Sequence, residues 1–498
     1  MLPGVADADA ADTQTMSALW GICHPPGYPI LVTCGALIAA LPIGPGVAWR
    51  VNFLLVICGI IGALALYGAV RRMTGQILAG LVASTTLALS GVYWSHALYA
   101  EVYVFYGAIL LLAVYFAVRF VQSDRVVWLN LTALALGVCV FNRPAELFVL
   151  PAFFGLWLIF RGQAHVTIRR VAIAMGLAIT PFAYTLLFFF ARENPAYLHA
   201  RDDAVRDAIL REGEPFPALG FAAKLHEAFV YCTGLKWAGA KMRPTFEWDL
   251  DKYAWRLSGF GGLVERFDRD DPAQRNKADA QGRGSDITLA GLLLAIVGVV
   301  FARGRAGWVF LGLGMFAGNT VFYLYHHPPD NLDFTLPGQA GLALLIGLAA
   351  AGPGRPRMKP SPHSWRLLCL LIPAYLLVTN YAKLDRSTPE EHARLQNLDA
   401  LASAPLPRGC AIIARYPRAM MYRYLFHVQA SRGDVQVIIN RYRYTQSQMS
   451  RLAHAYSSRG SAVFVSLEDY PPRVRAALIA NTDPDIARVG LARLRPGP

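Results

Sequence analysis

The sequence predicts an α-helical polytopic membrane protein of about ten spans that carries a small extracytoplasmic α/β domain at its C-terminus. Three observations lead to this fold class. Hydrophobic residues make up 55% of the 498 residues and charged residues only 16%, whereas soluble domains average about 25% charged residues. Apolar runs of bilayer length recur along the chain. Lys and Arg collect in alternate loops between these runs.

The apolar runs define the predicted membrane bundle. A run at 27–44 is short and bounded by Pro29 and Pro42, so we predict that it forms a helix along the membrane face rather than a span. The predicted spans are 51–70, 75–96, 101–120, 127–142, 144–160, 170–191, 286–302, 306–326, 335–351 and 366–382.

The distribution of Lys and Arg predicts the orientation of the bundle, because positive residues collect in short cytoplasmic loops. The short loops 97–100 and 327–334 carry neither residue. The chain then starts on the outer face without a preceding span or signal peptide, so we expect either a further helix upstream or a tolerated outer start. The basic loops carry Arg71 and Arg72; Arg119 and Arg125; Arg161, Arg169 and Arg170; Arg303 and Arg305; and Arg355, Arg357 and Lys359.

This topology divides the chain into five segments. They are a first extracytoplasmic loop with its juxtamembrane helix (1–50), an N-terminal transmembrane bundle (51–191), an extracytoplasmic loop (192–285), a C-terminal transmembrane bundle (286–382) and an extracytoplasmic α/β domain (383–498).

The last segment alternates strand-like and helical patterns. Apolar runs at Cys410–Ala414, Val435–Asn440 and Ala462–Leu467 enclose helical periodicity at Arg418–Ser431 and Thr445–Ser458. This order predicts parallel strands. Since the segment has no Gly-rich phosphate loop, we interpret it as a recognition or scaffolding module.

The charge of the chain indicates a lipid partner rather than nucleic acid. Residues 383–498 hold 17 Lys and Arg against nine Asp and Glu, which accounts for much of the net charge of +14. A basic extracytoplasmic surface suits an anionic membrane or a phosphorylated lipid. The seven Cys residues show no metal-ligand spacing and no disulfide framework.

The first thirty residues hold the strongest candidate site. Asp9 and Asp12 are carboxylates that can act as a general base on a hydroxyl or hold a divalent metal, although an acidic start can also be a merely solvated end. The turn His24-Pro25-Pro26-Gly27-Tyr28-Pro29 follows. Its prolines fix the backbone and its glycine permits a sharp bend, so His24 and Tyr28 are held in a defined place.

A second candidate is the segment from Trp94 to Tyr103, which contains His96 and Glu101. A Glu at the outer mouth of a span is costly unless it is paired or faces a wet cavity, which indicates a functional residue. The alternative is a position near a helix N-terminus, where the helix dipole favours Glu.

Two further loops complete the candidates. Arg143 lies in a turn between two short spans and needs an anion there, either the carboxylate of Glu146 or a lipid phosphate. Asp330 and Asp333 lie in an acidic outer loop with two adjacent histidines, and this loop either binds metal or shapes a cavity. Acidic groups on three outer loops favour group transfer from a lipid-phosphate donor.

These motifs resemble the polytopic family of the eukaryotic transmembrane protein O-mannosyltransferases and their bacterial homologues, which belong to the GT-C class of glycosyltransferases. The family pattern Asp-x-x-Glu, then His-Pro-Pro-Gly-Tyr-Pro, is matched from Asp9, with Asp12 where Glu is usual. The segment around Glu101 is similar to the second acidic motif, and the segment from Asp330 to Pro337 is similar to the late outer loop. Asn142-Arg143-Pro144 departs from the more common Asn-His.

The resemblance implies a GT-C fold, a span before the first outer loop, and transfer of a sugar, by resemblance mannose, from a polyprenyl-phosphate donor to an acceptor protein or glycan. Asp9 is then expected as the general base, with Asp12 and Glu101 placing the acceptor or an optional divalent metal. His24 and Arg143 are expected at the donor phosphate. We place Tyr28, His96, Tyr103, Asp330 and Asp333 among the substrate-binding residues.

The expected location is the bacterial inner membrane, with the active site and the C-terminal domain on the extracytoplasmic side. Two other classes of function stay open at this point. One is a flippase or transporter of a lipid-linked saccharide, and the other is a non-catalytic scaffold of envelope assembly built around the basic C-terminal segment.

Overall fold

The computed structural model describes residues 2–191, 229, 286–325, 334–352, 363–439 and 446–494, apart from Asp7, Pro25, residues 163–165 and 302–303, Arg386, Arg459 and Asn481. The chain forms two compact units. The first contains Met1–Leu54, Phe188–Ala228 and Arg386–Pro498, and the second contains Leu55–Leu187 and Phe229–Asp385. The predicted loop 192–285 lies outside the described residues, except for position 229.

Helices make up most of the described chain. In chain order they are α1 (Ala8–Leu19), α2 (Pro29–Ala39), α3 (Val47–Thr74), α4 (Ile77–Ala88), α5 (Gly91–Ala97), α6 (Val102–Ser123), α7 (Val126–Asn142), α8 (Leu150–Ile159), α9 (Ile168–Ala191), α10 (Leu289–Phe301), α11 (Ala306–Tyr325), α12 (Leu336–Ala351), α13 (His363–Cys369), α14 (Leu371–Leu384), α15 (Pro389–Ala402), α16 (Tyr416–Arg423), α17 (Gln446–Ser457), α18 (Pro472–Ile479) and α19 (Pro484–Arg488).

Several helices have the length and apolarity of membrane spans, which confirms the helical membrane character predicted from composition. Four described stretches are long and apolar enough to cross a bilayer, or up to five if one bent helix pair counts as a span. The predicted count of about ten is not confirmed over this part of the chain. The four stretches are Val47–Thr74, Val102–Ser123, Ile168–Phe189 and Ser364–Ala402.

The bent pair is α4 and α5, where a single span over 75–96 was predicted. The two helices meet at 69°, and Ser90 and Gly91 lie at the break, a residue pair that often kinks helices. Partners in the second unit satisfy the backbone groups that the break frees. The Asn380 amide donates to the Leu89 carbonyl at 2.7 Å, and the Asp286 carboxylate accepts from the Val92 amide at 2.9 Å.

Glycines allow helices of the second unit to approach one another closely, as in membrane bundles generally. A Cβ on Gly298 of α10 would lie 2.0 Å from the Leu345 carbonyl oxygen of α12. A Cβ on Gly318 of α11 would lie 1.9 Å from the Phe148 carbonyl oxygen. Since backbone atoms cannot move aside cheaply, both contacts require glycine.

The substitution Gly298→Ala should therefore lower the thermal stability of the detergent-solubilised protein. Overpacking of a close contact costs about 1–3 kcal/mol, and an unfolding scan measures the loss. Gly176→Ala is the matched control, because Gly176 also lies inside an apolar helix but has no atom within 4 Å of its added Cβ. Equal melting temperatures for the two variants would contradict the close contact.

The first unit contains the predicted α/β domain. Strands β1 (Ala411–Ala414), β2 (Gln436–Ile439), β3 (Val463–Ser466) and β4 (Leu491–Leu494) form one sheet in the order β2-β1-β3-β4. β1 pairs in parallel with β2 and with β3, which confirms the predicted strands and their direction. β4 pairs antiparallel with β3 and was not predicted.

Both faces of the sheet are covered, as expected for parallel strands. On one face Ile412 and Phe464 pack with Met420 and Phe426, which lie on α16 and the π-helix Tyr424–Gln429 that follows it. On the other face apolar residues of the same strands pack with Leu452 of α17.

Helix α1 packs on α16 and on the π-helix after it. Met1–Leu54 and Arg386–Pro498 consequently form one compact unit, whereas the predicted division treated 1–50 and 383–498 as separate segments. The two segments pack together because α1, although polar in sequence, buries eight of its twelve residues. A polar helix can be buried only where neighbouring segments supply hydrogen-bond partners.

Candidate active site

Buried polar side chains hold α1 in place. Gln14 is fully buried and donates to Asn52 at 2.8 Å, and its carbonyl oxygen accepts from the Ala6 amide at 3.0 Å. Asn52 in turn donates to the carbonyl oxygens of Leu2 and Gly4. These bonds fix the segment that leads into α1 and, with it, the position of the first helical turn.

Asp12 lies on the same buried helix and binds His24. The Asp12 side chain is 0% exposed, and its Oδ2 accepts both from the His24 backbone amide at 2.8 Å and from His24 Nδ1 at 2.9 Å. A carboxylate can only accept hydrogen bonds, so Nδ1 carries the proton and Nε2 points the other way. Asp12 therefore fixes both the backbone and the ring of His24.

Contacts of Gly27 shape the end of the turn that follows His24. The Gly27 amide donates to the His24 carbonyl at 2.8 Å, which closes the turn. Gly27 has a φ of 91°, and a Cβ there would lie 2.6 Å from the Phe189 ring, so only glycine fits. Tyr28 contacts the His24 ring edge-on, with 5.3 Å between ring centroids. These contacts place Tyr28 beside the His24 ring.

Asp9 is the accessible carboxylate of the cluster. Its side chain is 32% exposed, compared with 13% for His24. His24 Nε2 lies 3.5 Å from Asp9 Oδ2, and the Tyr416 hydroxyl donates to Asp9 Oδ1 at 2.5 Å. The two ring nitrogens of His24 thus face one carboxylate each, Asp12 at Nδ1 and Asp9 at Nε2.

The structure thus brings together four of the residues predicted from the first motif, but it changes two of the expected roles. Asp12 was expected to place the acceptor, yet its carboxylate is buried against His24. His24 was expected at the donor phosphate, yet both ring nitrogens face carboxylates. The geometry makes Asp12 and His24 supports of Asp9, because Asp9 alone of the three is substantially open to solvent.

Cys23 is the neighbouring nucleophile in this motif. Burial raises the pKa of its thiol well above the usual value, and the nearby Asp12 carboxylate raises it further. The thiol therefore stays protonated at neutral pH.

Tyr416 was not singled out from the sequence. It is the first residue of α16, directly beyond the carboxyl end of β1. The carboxyl ends of parallel strands are where α/β sheets place functional groups, so the predicted β1 followed by an aromatic residue was a usable signal. Its contact with Asp9, 407 residues away, was not readable from the sequence.

The second unit gathers three of the other motifs around Arg143. His96 packs on Tyr103 with 4.7 Å between ring centroids. The Arg143 guanidinium lies 4.6 Å from the Tyr103 ring centroid and 5.1 Å from that of Phe334. Phe334 is the first described residue after the late outer loop. Cation–π contacts of this kind stabilise an arginine that is removed from water.

The anion that Arg143 needs is Glu146. Arg143 donates to the Glu146 carboxylate at 2.9 Å, and both side chains are buried, with 5% and 2% exposure. Of the two anions predicted for Arg143, the structure supplies the carboxylate. The expected contact with a donor phosphate is therefore not supported, because the guanidinium is already paired and covered by aromatic rings.

Glu101 lies at a helix N-terminus, which was the alternative position predicted for it. It is the N-cap residue of α6, with an extended backbone, and it is half-buried at the mouth of that helix. Asp330 and Asp333 lie outside the described residues. Among the residues that the structure describes, no group of three or more His, Cys, Asp or Glu is arranged to hold a metal ion.

Comparison with known families gives the motifs their context. Residues 9–167 match the family described as protein O-mannosyl-transferase TMEM260 N-terminal domain. The resemblance is confirmed over this part of the chain. The matched region begins at Asp9 and includes Asp12, His24, Glu101 and Arg143.

Two relatives are named protein O-mannosyl-transferase TMEM260, like the matched family. The mouse protein O-mannosyl-transferase TMEM260 is 28% identical over 196 residues, which cover 37% of this chain and 27% of the mouse protein. The Dictyostelium discoideum protein is 25% identical over 175 residues, which cover 32% of this chain and 21% of that protein. The chain thus matches about a quarter of the length of these relatives.

Two solved structures align with most of the chain at low sequence identity. The Archaeoglobus fulgidus oligosaccharyltransferase gives a TM-score of 0.49 at 11% identity and covers 96% of this chain and 66% of its own. ArnT from Cupriavidus metallidurans gives a TM-score of 0.37 at 13% identity, and the alignment covers 97% of this chain and 91% of the ArnT chain.

The pairing of Arg143 with Glu146 predicts a distinctive stability pattern. Arg143→Met leaves a buried unpaired carboxylate and should destabilise the solubilised protein by about 3–5 kcal/mol. The double variant Arg143→Met/Glu146→Leu removes both charges and should unfold at a clearly higher temperature than the single variant. Thermal unfolding in detergent measures both. A double variant that is no more stable than Arg143→Met would contradict a mainly structural ion pair.

Proposed function

We propose that this protein is a membrane glycosyltransferase that moves a sugar from a polyprenyl-phosphate donor to an acceptor hydroxyl. The observation that carries the proposal is that the family match begins at Asp9, and Asp9 is the accessible carboxylate of an organised cluster. Helices of membrane-spanning length supply the setting in which a lipid-linked donor would be held.

Asp9 acts as the general base in this proposal. Its Oδ1 is engaged by Tyr416, so Oδ2 is the oxygen that takes the proton of the acceptor hydroxyl. His24 lies beside Oδ2 at 3.5 Å, and Asp12 holds the ring through Nδ1. A base of fixed orientation within reach of the hydroxyl is what general base catalysis requires.

The reaction is a single displacement with inversion. The acceptor oxygen forms a bond to the anomeric carbon while the bond from that carbon to the donor phosphate oxygen breaks. The electron pair of the breaking bond leaves with the polyprenyl phosphate, and the acceptor proton passes to Asp9. No covalent sugar–enzyme intermediate is needed, and the protonated Cys23 thiol is not used.

We further propose mannose as the sugar and Ser or Thr hydroxyls of proteins as acceptors. The names of the two relatives, both protein O-mannosyl-transferases, support this choice. The alternation of basic and uncharged loops favours an extracytoplasmic site, and we propose the bacterial inner membrane as the location. By the family resemblance, Glu101 and an optional divalent metal are further proposed to help place the acceptor.

Asp9→Asn should reduce transfer of mannose from a polyprenyl-phosphate donor to a Ser/Thr peptide by about 10²- to 10⁴-fold, the usual contribution of general acid–base catalysis. Radiolabelled sugar in the peptide fraction of reconstituted membranes measures the transfer. Asp485→Asn is the matched control, because this carboxylate lies in the same unit and its side chain is 67% exposed.

Full transfer by the Asp9→Asn variant would overturn the assignment of the base. Translocation of the lipid-linked sugar across reconstituted vesicles without any glycosylated product would instead favour the flippase or transporter.

A further inference from the structure

The C-terminal α/β domain has its switch point next to the candidate base. The chain leaves β1 through α16 and returns as β2, which pairs with one side of β1. The next strand, β3, pairs with the other side of β1. In open α/β sheets, functional groups lie at the carboxyl ends of the strands where the order reverses in this way. Tyr416 lies at this point, directly after β1.

The carboxyl edge of the sheet holds α16 without help from Asp9. Asp469, which follows β3, accepts from the Arg415 backbone amide and from the Arg418 guanidinium, both at 2.7 Å. Tyr422 on the same helix shares a hydrogen bond of 3.1 Å with Ser466 at the end of β3. The start of α16 is therefore anchored to the sheet, and the Tyr416 hydroxyl is presented from a fixed support.

The Tyr416 hydroxyl meets one specific oxygen of Asp9. It donates to Oδ1 at 2.5 Å, whereas Oδ2 is the oxygen near His24. The two oxygens of the carboxylate thus have different partners from two distant parts of the chain. A hydrogen bond to one oxygen of a carboxylate restricts the rotation of the group.

We propose that Tyr416 is a positioning residue for Asp9, so that the C-terminal α/β domain completes the transfer site instead of serving only as a recognition or scaffolding module. This inference rests on the proposed function. Tyr416 holds Oδ1, so Oδ2 stays turned toward the acceptor hydroxyl.

The first test compares two variants that each remove one hydroxyl from α16. Tyr416→Phe should lower kcat for sugar transfer at least about tenfold, as expected for the loss of a hydrogen bond to a charged group, while KM for the donor stays within about twofold. Tyr422→Phe is the matched control, because its hydroxyl bonds Ser466 in the interior of the same domain, and it should keep the wild-type kcat.

A merely structural role for Tyr416 would give the same kcat for both variants or a change in KM alone, and either result would overturn the inference. The combination of an inactive Asp9→Asn protein with a fully active Tyr416→Phe protein rejects only the role of Tyr416. A fully active Asp9→Asn protein rejects the base itself.

The second test does not depend on activity. Thermal unfolding of the full chain in detergent is measured for the wild type, Tyr416→Phe, Asp9→Ala and the double variant. Direct contact between the two side chains predicts that the effect of Tyr416→Phe shrinks or disappears when Asp9 is already replaced. Strictly additive shifts in melting temperature would show that the two residues are not coupled and would overturn the inference even if the transfer assay fails.

Discussion

The first unit depends on the hydrogen bonds between Asp12 and His24. A buried carboxylate is costly unless its charge is matched by donors, and His24 supplies two of them, one from its backbone and one from its ring. This pairing lets a polar helix lie inside the unit and fixes the imidazole toward Asp9. The same residues therefore satisfy the burial requirement of the fold and orient the candidate base.

The buried charge of Arg143 is also satisfied by neighbouring side chains. The guanidinium is buried, and the structure satisfies it with Glu146 three residues later and with the faces of Tyr103 and Phe334. These groups come from three different motifs of the second unit. The charges of Arg143 and Glu146 balance each other, and the contacts of Arg143 with Tyr103 and Phe334 hold together motifs that are far apart in the sequence.

The elements of the structure differ in how readily the sequence predicts them. Its parallel strands are short and buried, which made them recognisable from apolar runs of four to six residues. β4 and α18 were missed, because β4 contains an exposed arginine, Arg493, and α18 has no fully buried residue to give it a periodic apolar face. The break between α4 and α5 was likewise missed, because apolar composition continues across Ser90 and Gly91 and only the partners Asn380 and Asp286 reveal it.

The sequence by itself determined the membrane character and the parallel strands, since composition and periodicity act over a few neighbouring residues. It also singled out Asp9 and the turn at His24 as candidates. Only the tertiary structure decided which partner each charged group has. It paired Asp12 with His24, Arg143 with Glu146, and Asp9 with Tyr416. The physical reason is that burial and hydrogen-bond geometry depend on tertiary packing. Asp9 and Tyr416 are 407 residues apart, so no local pattern records their contact. Even for the pairs that are close in sequence, the surrounding packing decides which side chains are buried together.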